Sequence, residues 1–129
     1  MLSYTFVVIP RMSHHHLTGD LAARLSEWMV WLAQAFDWHM EHLSIRPDYV
    51  LWSLRAEPEI APATIILQVR QQTTKRIYDE FTQIEKDNPS GDFWAPGYLV
   101  ASGLQSLTVP VINEFIRRIR QRQGVGSLE

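Results

Sequence analysis

At 129 residues, with 46% hydrophobic and 20% charged residues, the chain has the size and balance of one globular domain with a real core. The lack of cysteine excludes disulfides and thiolate metal sites. A net charge of −2 excludes a protein covered in phosphate contacts, each of which draws on Lys or Arg and on counterion release, so any nucleic-acid binding has to come from a local basic surface.

The first ten residues carry no basic n-region and no apolar run long enough for export or for spanning a membrane, so a cytoplasmic protein without a membrane partner is expected. Residues 2–9 (LSYTFVVI), rich in β-branched and aromatic side chains and closed by Pro10, predict a strand. A loop over 11–17 holds His14, His15 and His16. Thr18 offers an N-cap and Asp20 suits a first turn; Leu21, Leu25, Trp28, Leu32 and Phe36 then predict an amphipathic helix over 19–36. Strands over 38–45 and 49–56 follow, joined by a tight turn at Arg46, Pro47 and Asp48. In the second of these, Val50, Trp52 and Leu54 share the apolar face, and Tyr49, Leu51, Ser53 and Arg55 alternate to the other.

A second helix begins near Pro62, with a core stripe of Ile66, Val69, Thr73, Ile77, Phe81 and Ile84, and ends at Asn88 to Gly91. Residues 93–102 predict a further strand, bent near Pro96 and Gly97. Thr108 and Pro110 open a last helix whose apolar side is Val111, Ile112, Phe115, Ile116 and Ile119, with Arg117, Arg118, Arg120 and Arg122 crowding the rest. The order β-α-β-β-α-β-α is that of an α+β, ferredoxin-like (RRM-like) β-α-β-β-α-β sandwich with an additional C-terminal helix. The domain is expected over 1–123, with a flexible tail over 124–129.

The ferredoxin-like fold hosts many functions, so local patterns have to narrow the reading. Four of them occur in order: LTGD (17–20) after a strand and loop, IRPDYVLWSL (45–54), LQVRQQTTKRIYDEF (67–81) and FWAPGYLVASG (93–103). Together they resemble the IS200-like transposases, the single-tyrosine Y1 (HUH-type) family with its REP-associated relatives, over about residues 4–123. The resemblance implies strand transfer on single-stranded DNA by a homodimer whose chains merge their sheets and exchange the last helix. In that chemistry two histidines after the Pro-Asp turn and a glutamine on the last helix hold Mg²⁺ or Mn²⁺, which polarises the scissile phosphate. A tyrosine one turn before that glutamine attacks, and the phosphotyrosine link conserves the energy for rejoining.

At the matching positions this chain has Tyr49 and Leu51 for the histidines, Phe115 for the nucleophile and Ile119 for the glutamine. Leucine and isoleucine offer no lone pair, a phenol is a poor ligand for a hard divalent ion, and phenylalanine has no hydroxyl. The expectation is therefore a member with no catalytic residue retained, no metal and no cofactor. Tyr49 and Tyr98 are poor replacement nucleophiles without a metal or positioned base, given a phenol pKa of about 10.

Three consecutive histidines do not all converge on one ion in a regular element, so His14, His15 and His16 are expected in a solvated or phosphate-facing loop. His39 and His42, three apart on a strand, are expected on opposite faces. Trp31 and Trp94 are candidates to stack a base or to fill a subunit interface. The candidate DNA-binding residues are Arg11, Arg70, Lys75, Arg76, Arg117, Arg118, Arg120 and Arg122; the competing explanation is a solvated helix face with arginines suited to a helix C-terminus. The expected function is an uncutting transposase-like homodimer on hairpin or single-stranded DNA, and the alternative is a protein-interaction domain that keeps the fold and dimer but not the DNA. A nuclease with relocated ligands is the remaining, least favoured case.

Overall fold

Alternation along β1 (Leu2–Val8) sorts its side chains onto two faces, and the neighbouring strands follow the same sorting. The computed structural model describes residues 1–103 and 107–124, so the expected tail lies, beyond Gly124, outside the described residues. β1 pairs antiparallel with β3 (Tyr49–Ala56) and with β4 (Leu99–Ser102), while β3 also pairs with β2 (His39–Arg46). The resulting order β2-β3-β1-β4 places two crossover helices, α1 (Gly19–Ala35) and α2 (Pro62–Glu80), where a ferredoxin-like sandwich needs them. A short α3 (Thr82–Asp87) follows α2, and α4 (Val109–Arg122) is the additional terminal helix.

The main core lies between the two crossover helices and one face of the sheet. Tyr4, Phe6 and Val8 of β1 and Val50, Trp52 and Leu54 of β3 meet Leu21, Leu25, Trp28, Met29 and Leu32 of α1 and Ile65, Ile66, Val69 and Ile77 of α2. Phe6 stacks on Trp52 with ring centroids 5.1 Å apart. Each such large side chain contributes about 1.5–3 kcal/mol by leaving water. Arg24 of α1 reaches across to Glu80 at the end of α2 with N–O distances of 3.0 and 2.8 Å, tying the two helices at their exposed rim.

Three local expectations change. The second helix does not run on to Asn88: it breaks at Phe81 (φ −116°, ψ 73°), and Phe81 and Ile84 pack only partly buried against the core. The caps Thr18 and Thr108 stand where expected with extended backbone, but neither hydroxyl makes a capping hydrogen bond. The strand expected over 93–102 is reduced to Leu99–Ser102.

Residues 93–97 form instead an irregular segment, buried at Phe93, Trp94 and Ala95, that α2 grips through its polar face. Only one bridge, Pro10 to Trp94, continues the sheet pattern, with Arg11 N–H donating to the Phe93 carbonyl (2.8 Å) and Ala95 N–H to the Ile9 carbonyl (2.9 Å). Arg70 donates to Asp92 Oδ2 at 2.6 Å and to the carbonyls of Trp94 (3.3 Å) and Gly97 (3.2 Å). Trp94 Nε1–H donates to Thr73 Oγ1 (2.8 Å), which in turn donates to the Val69 carbonyl one turn back, and Phe93 N–H donates to Thr74 Oγ1 (3.1 Å). Trp94 is thus fully buried and unavailable to stack a base, contrary to the sequence expectation.

If this grip holds the segment, Arg70→Ala should lower the unfolding free energy by about 1.5–3 kcal/mol, the cost of losing hydrogen bonds to a charged group. Urea denaturation measures it. A loss no larger than an ordinary surface change, roughly 0.5 kcal/mol, would mean the segment is held by its aromatic burial alone.

Candidate nucleic-acid interface and the motif-matched positions

The face of the sheet turned away from α1 and α2 carries the odd members of the strand alternation, and α4 comes to it. Ile9, Ala95 and Ile119 form a second, smaller cluster, with Tyr49, Phe115 and Ile116 packed against it. Three of the four motif positions therefore meet: Tyr49 from the start of β3, and Phe115 and Ile119 from successive turns of α4. Leu51 lies two residues along β3 on the same face, paired with Val7 of β1 and Ser44 of β2, and half-buried. The donor set does not fit a hard divalent ion: one half-buried phenol oxygen stands among hydrocarbon side chains where Mg²⁺ or Mn²⁺ needs several oxygens.

α4 is seated by polar contacts at its C-terminal end and by shape at its middle. Arg120 donates to the carbonyls of Pro10 (2.8 Å) and Arg11 (2.9 Å), and Gln123 Nε2–H donates to the Arg11 carbonyl at 3.0 Å. Burial holds the Arg120 guanidinium below its usual pKa, opposed by the nearby Asp48 carboxylate. Gly97 has φ +92°, and a Cβ there would stand 3.4 Å from Ile119 Cδ1, so the glycine serves both the turn and the approach of α4. The apolar side of α4 is narrower than expected: Ile112 and Ile119 are buried and Phe115 and Ile116 half-buried, but Val111 is exposed.

Between α4 and residues 97–99 lies an open groove of 510 Å³ lined by Gly97, Tyr98, Leu99, Val111, Glu114, Phe115, Arg118 and Arg122. Its floor is aromatic and aliphatic, and its rim holds two guanidinium groups and one carboxylate. Glu114 accepts from Arg117 Nε (2.9 Å) and from Arg118 Nε (3.0 Å), and those two bonds hold its carboxyl down to about 2.

The candidate DNA-binding residues do not form one surface. Arg70 is taken up by Asp92 and two carbonyls, and Arg120 by the backbone at 10 and 11. Arg11 donates through Nε to the Asp92 carbonyl (3.2 Å). Arg76 lies over the half-exposed ring of Trp31, 4.3 Å from its centroid, and bonds Gln72, while Lys75 is exposed nearby on α2. Since α2 and α4 cover opposite faces of the sheet, Lys75 and Arg76 are separated from Arg117, Arg118 and Arg122. Arg122, a DNA-binding candidate one turn after Arg118, and Tyr98, which was not one, both line the groove.

The histidines also depart from expectation. A bulge at Glu41 shifts the β2 register, so His39 faces Arg55 and His42 faces Ser53, which puts both histidines on one face. His15 is buried rather than solvated, its ring stacked on Phe93 at an interplanar angle of 7°.

Comparison with known proteins follows the same lines. The family model described as Transposase IS200 like matches residues 1–119. Among solved structures, a proposed transposase from Deinococcus radiodurans R1 superposes with a TM-score of 0.75 at 19% identity, covering 93% of this chain and 89% of that one. A REP-associated tyrosine transposase bound to a REP hairpin superposes with a TM-score of 0.59 at 10% identity, covering 98% and 70% of the two chains. At these identities both similarities speak to the fold. No curated protein matches the chain. Among the described residues, no helix is long and apolar enough to cross a membrane.

Two outcomes test the seating of α4. Gly97→Ala should destabilise by roughly 1–2 kcal/mol, because the left-handed backbone penalises any Cβ there; thermal melts of the pair of proteins measure it, and an unchanged midpoint would argue against this packing. Glu114 has a folded pKa below its ordinary 4.5, so its pairs stabilise the fold above that pH and are lost as pH falls toward about 2. Glu114→Gln should flatten that part of the acid-unfolding curve and lower neutral stability by the same amount, which is small for exposed pairs. An acid limb of unaltered slope would show that the pairs do not persist in solution.

Proposed function

The chain belongs to the IS200-like transposase family, and from that premise we propose that it is a non-cutting member that binds hairpin or single-stranded DNA as a homodimer. The observation that carries the reading is the packing of Tyr49, Phe115 and Ile119, at positions to which the family resemblance assigns reactive groups, around Ile9 and Ala95, beside a groove with arginines on its rim. A metal-assisted attack needs a nucleophile and an ion within reach of the scissile phosphate; Leu51, Phe115 and Ile119 supply neither, and the one phenol of Tyr49 has no second oxygen ligand beside it at these positions.

Binding asks for less than cutting. Arg118 and Arg122 on the groove rim suit phosphates, and Tyr98 and Phe115 offer ring faces to unstacked bases, the usual combination for single strands. The structural relative solved with a REP hairpin supports DNA as the partner class. Dimerisation is supported by apolar exposure at the β4 side: Val100 on that edge strand and Val109 and Val111 at the start of α4 are all at least two-fifths exposed. A second reading, an interaction domain without DNA, draws on the pairing of Arg117 and Arg118 with Glu114 and on the internal use of Arg70 and Arg120. These contacts leave few cations free.

Fluorescence anisotropy with a panel of stem-loop and single-stranded oligonucleotides separates the two. DNA binding predicts salt-sensitive affinity, with Arg118→Ala and Arg122→Ala each lowering the log–log salt slope by about 0.7 for a single strand. Glu114→Gln, which releases two arginines, should tighten binding. No binding at low salt to any oligonucleotide would leave the interaction-domain reading. A denaturation-resistant protein–DNA product with Mg²⁺ or Mn²⁺ would overturn the non-cutting reading altogether.

A further inference from the structure

The loop after β1 and the C-terminal end of α3 bring together a cluster that the DNA reading does not use. His15 Nε2 lies 3.4 Å, and His14 Nε2 4.0 Å, from the same oxygen of Asp87, Oδ2. One donor atom from each of the three residues lies within 4.8 Å of the other two, the only such three-residue group of potential ligands among the described residues. We propose that His14, His15 and Asp87 form a binding site for one borderline transition-metal ion of the Zn²⁺ type, which staples the histidine loop to α3.

The distances suit such an ion. Bonds of about 2.0–2.1 Å from a tetrahedral ion set neighbouring donors roughly 3.3–3.4 Å apart. His15 and Asp87 already stand at 3.4 Å, and His14, at 4.0 Å from the same oxygen, is exposed and free to swing inward by the remaining distance of about 0.6 Å. Consecutive histidines fail to converge in a regular strand or helix, but residues 11–14 are bends and turns, and the two rings meet edge to face with centroids 4.5 Å apart. Two imidazoles and a carboxylate are the donors of zinc, nickel, cobalt or copper rather than of magnesium or calcium.

The surroundings hold the donors in place. Gln83 Nε2–H donates to Asp87 Oδ1 at 3.0 Å, which turns Oδ2 toward the histidines, the orienting role that second hydrogen bonds play around metal carboxylates. His15 is fixed by its stack on Phe93, and its loop is anchored by Leu17 N–H donating to the Pro47 carbonyl at 2.8 Å. His15 Nδ1 is buried with no partner whether or not an ion sits on Nε2, so binding adds no new unsatisfied group. Asp87 closes a helix C-terminus, where an anion gains nothing from the backbone dipoles and a cation facing it is favourable. Three protein ligands leave at least one position open to water or to an anionic oxygen.

Isothermal titration of the full chain with ZnCl₂ and, separately, MgCl₂ tests the site. One Zn²⁺ per chain with micromolar affinity, and no response to Mg²⁺, is expected. His14→Ala and Asp87→Asn should each weaken Zn²⁺ binding by about tenfold or more. His16→Ala and the double change His39→Ala/His42→Ala should leave it unchanged. His14 is exposed, so its variant folds as the parent does and decides the matter even if Asp87→Asn proves unstable. Absence of saturable Zn²⁺ binding, binding that survives His14→Ala, or binding lost with His16 or the β2 histidines would overturn the site.

Discussion

The placement of everything on the far face of the sheet depends on one ion pair and the hydrogen bonds around it. Arg70 and Asp92 hold residues 92–97 against α2, and Thr73 and Thr74 complete the grip on Trp94 and Phe93. A segment that leaves the strand pattern exposes backbone polar groups that have to be satisfied inside the protein, and these side chains satisfy them. The polar Arg-Gln-Gln-Thr-Thr stretch on a helix that faces a core is otherwise hard to reconcile with burial. Its Arg70, Thr73 and Thr74 receive a non-strand chain segment, while Gln71 is exposed and Gln72 bonds Arg76.

From that grip the candidate site follows. The clamped segment presents Ala95 to Ile9 and Ile119, and Gly97 lets α4 approach to within side-chain contact. The helix then closes over the positions where relatives by resemblance carry histidines, tyrosine and glutamine. Here the same geometry assembles a hydrocarbon cluster, whose packing rewards apolar side chains and penalises any polar group without a partner. On the proposed non-cutting reading, the scaffold tolerates new side chains at these positions because it is also held from the α2 side and by the Arg120 contacts to the backbone at 10 and 11. The groove beside it keeps a rim of arginines, and the proposed metal site lies elsewhere, on the histidine loop, with its own supports in Gln83 and Phe93.

Much of this was legible from residue order. The strand–helix alternation, the sheet class and the extra helix follow from hydrophobic periodicity and turn residues, and they agree with the pairing β2-β3-β1-β4. The identities at 49, 51, 115 and 119 are sequence facts, and their chemistry needs no coordinates. Less legible were features set by contacts distant in the chain. The strand expected over 93–102 looked regular by composition, yet Arg70 and two threonines on α2 draw its first half out of the ladder. The bulge at Glu41 reversed the facing of His39 and His42, because an inserted residue shifts a period-two pattern without changing its composition.

The histidine tract shows the division most clearly. Its sequence determined that three imidazoles sit in a loop after the first strand. Only the tertiary structure decided that one of them stacks under Phe93 and two face Asp87, 72 and 73 residues away in the chain. Likewise the sequence by itself determined which fold forms and which side chains stand at 49, 51, 115 and 119, since periodicity and side-chain chemistry are local properties. Which arginines are free, which aromatic rings are exposed and which side chains share a site were decided by packing, because each depends on partners that only the folded chain brings within reach.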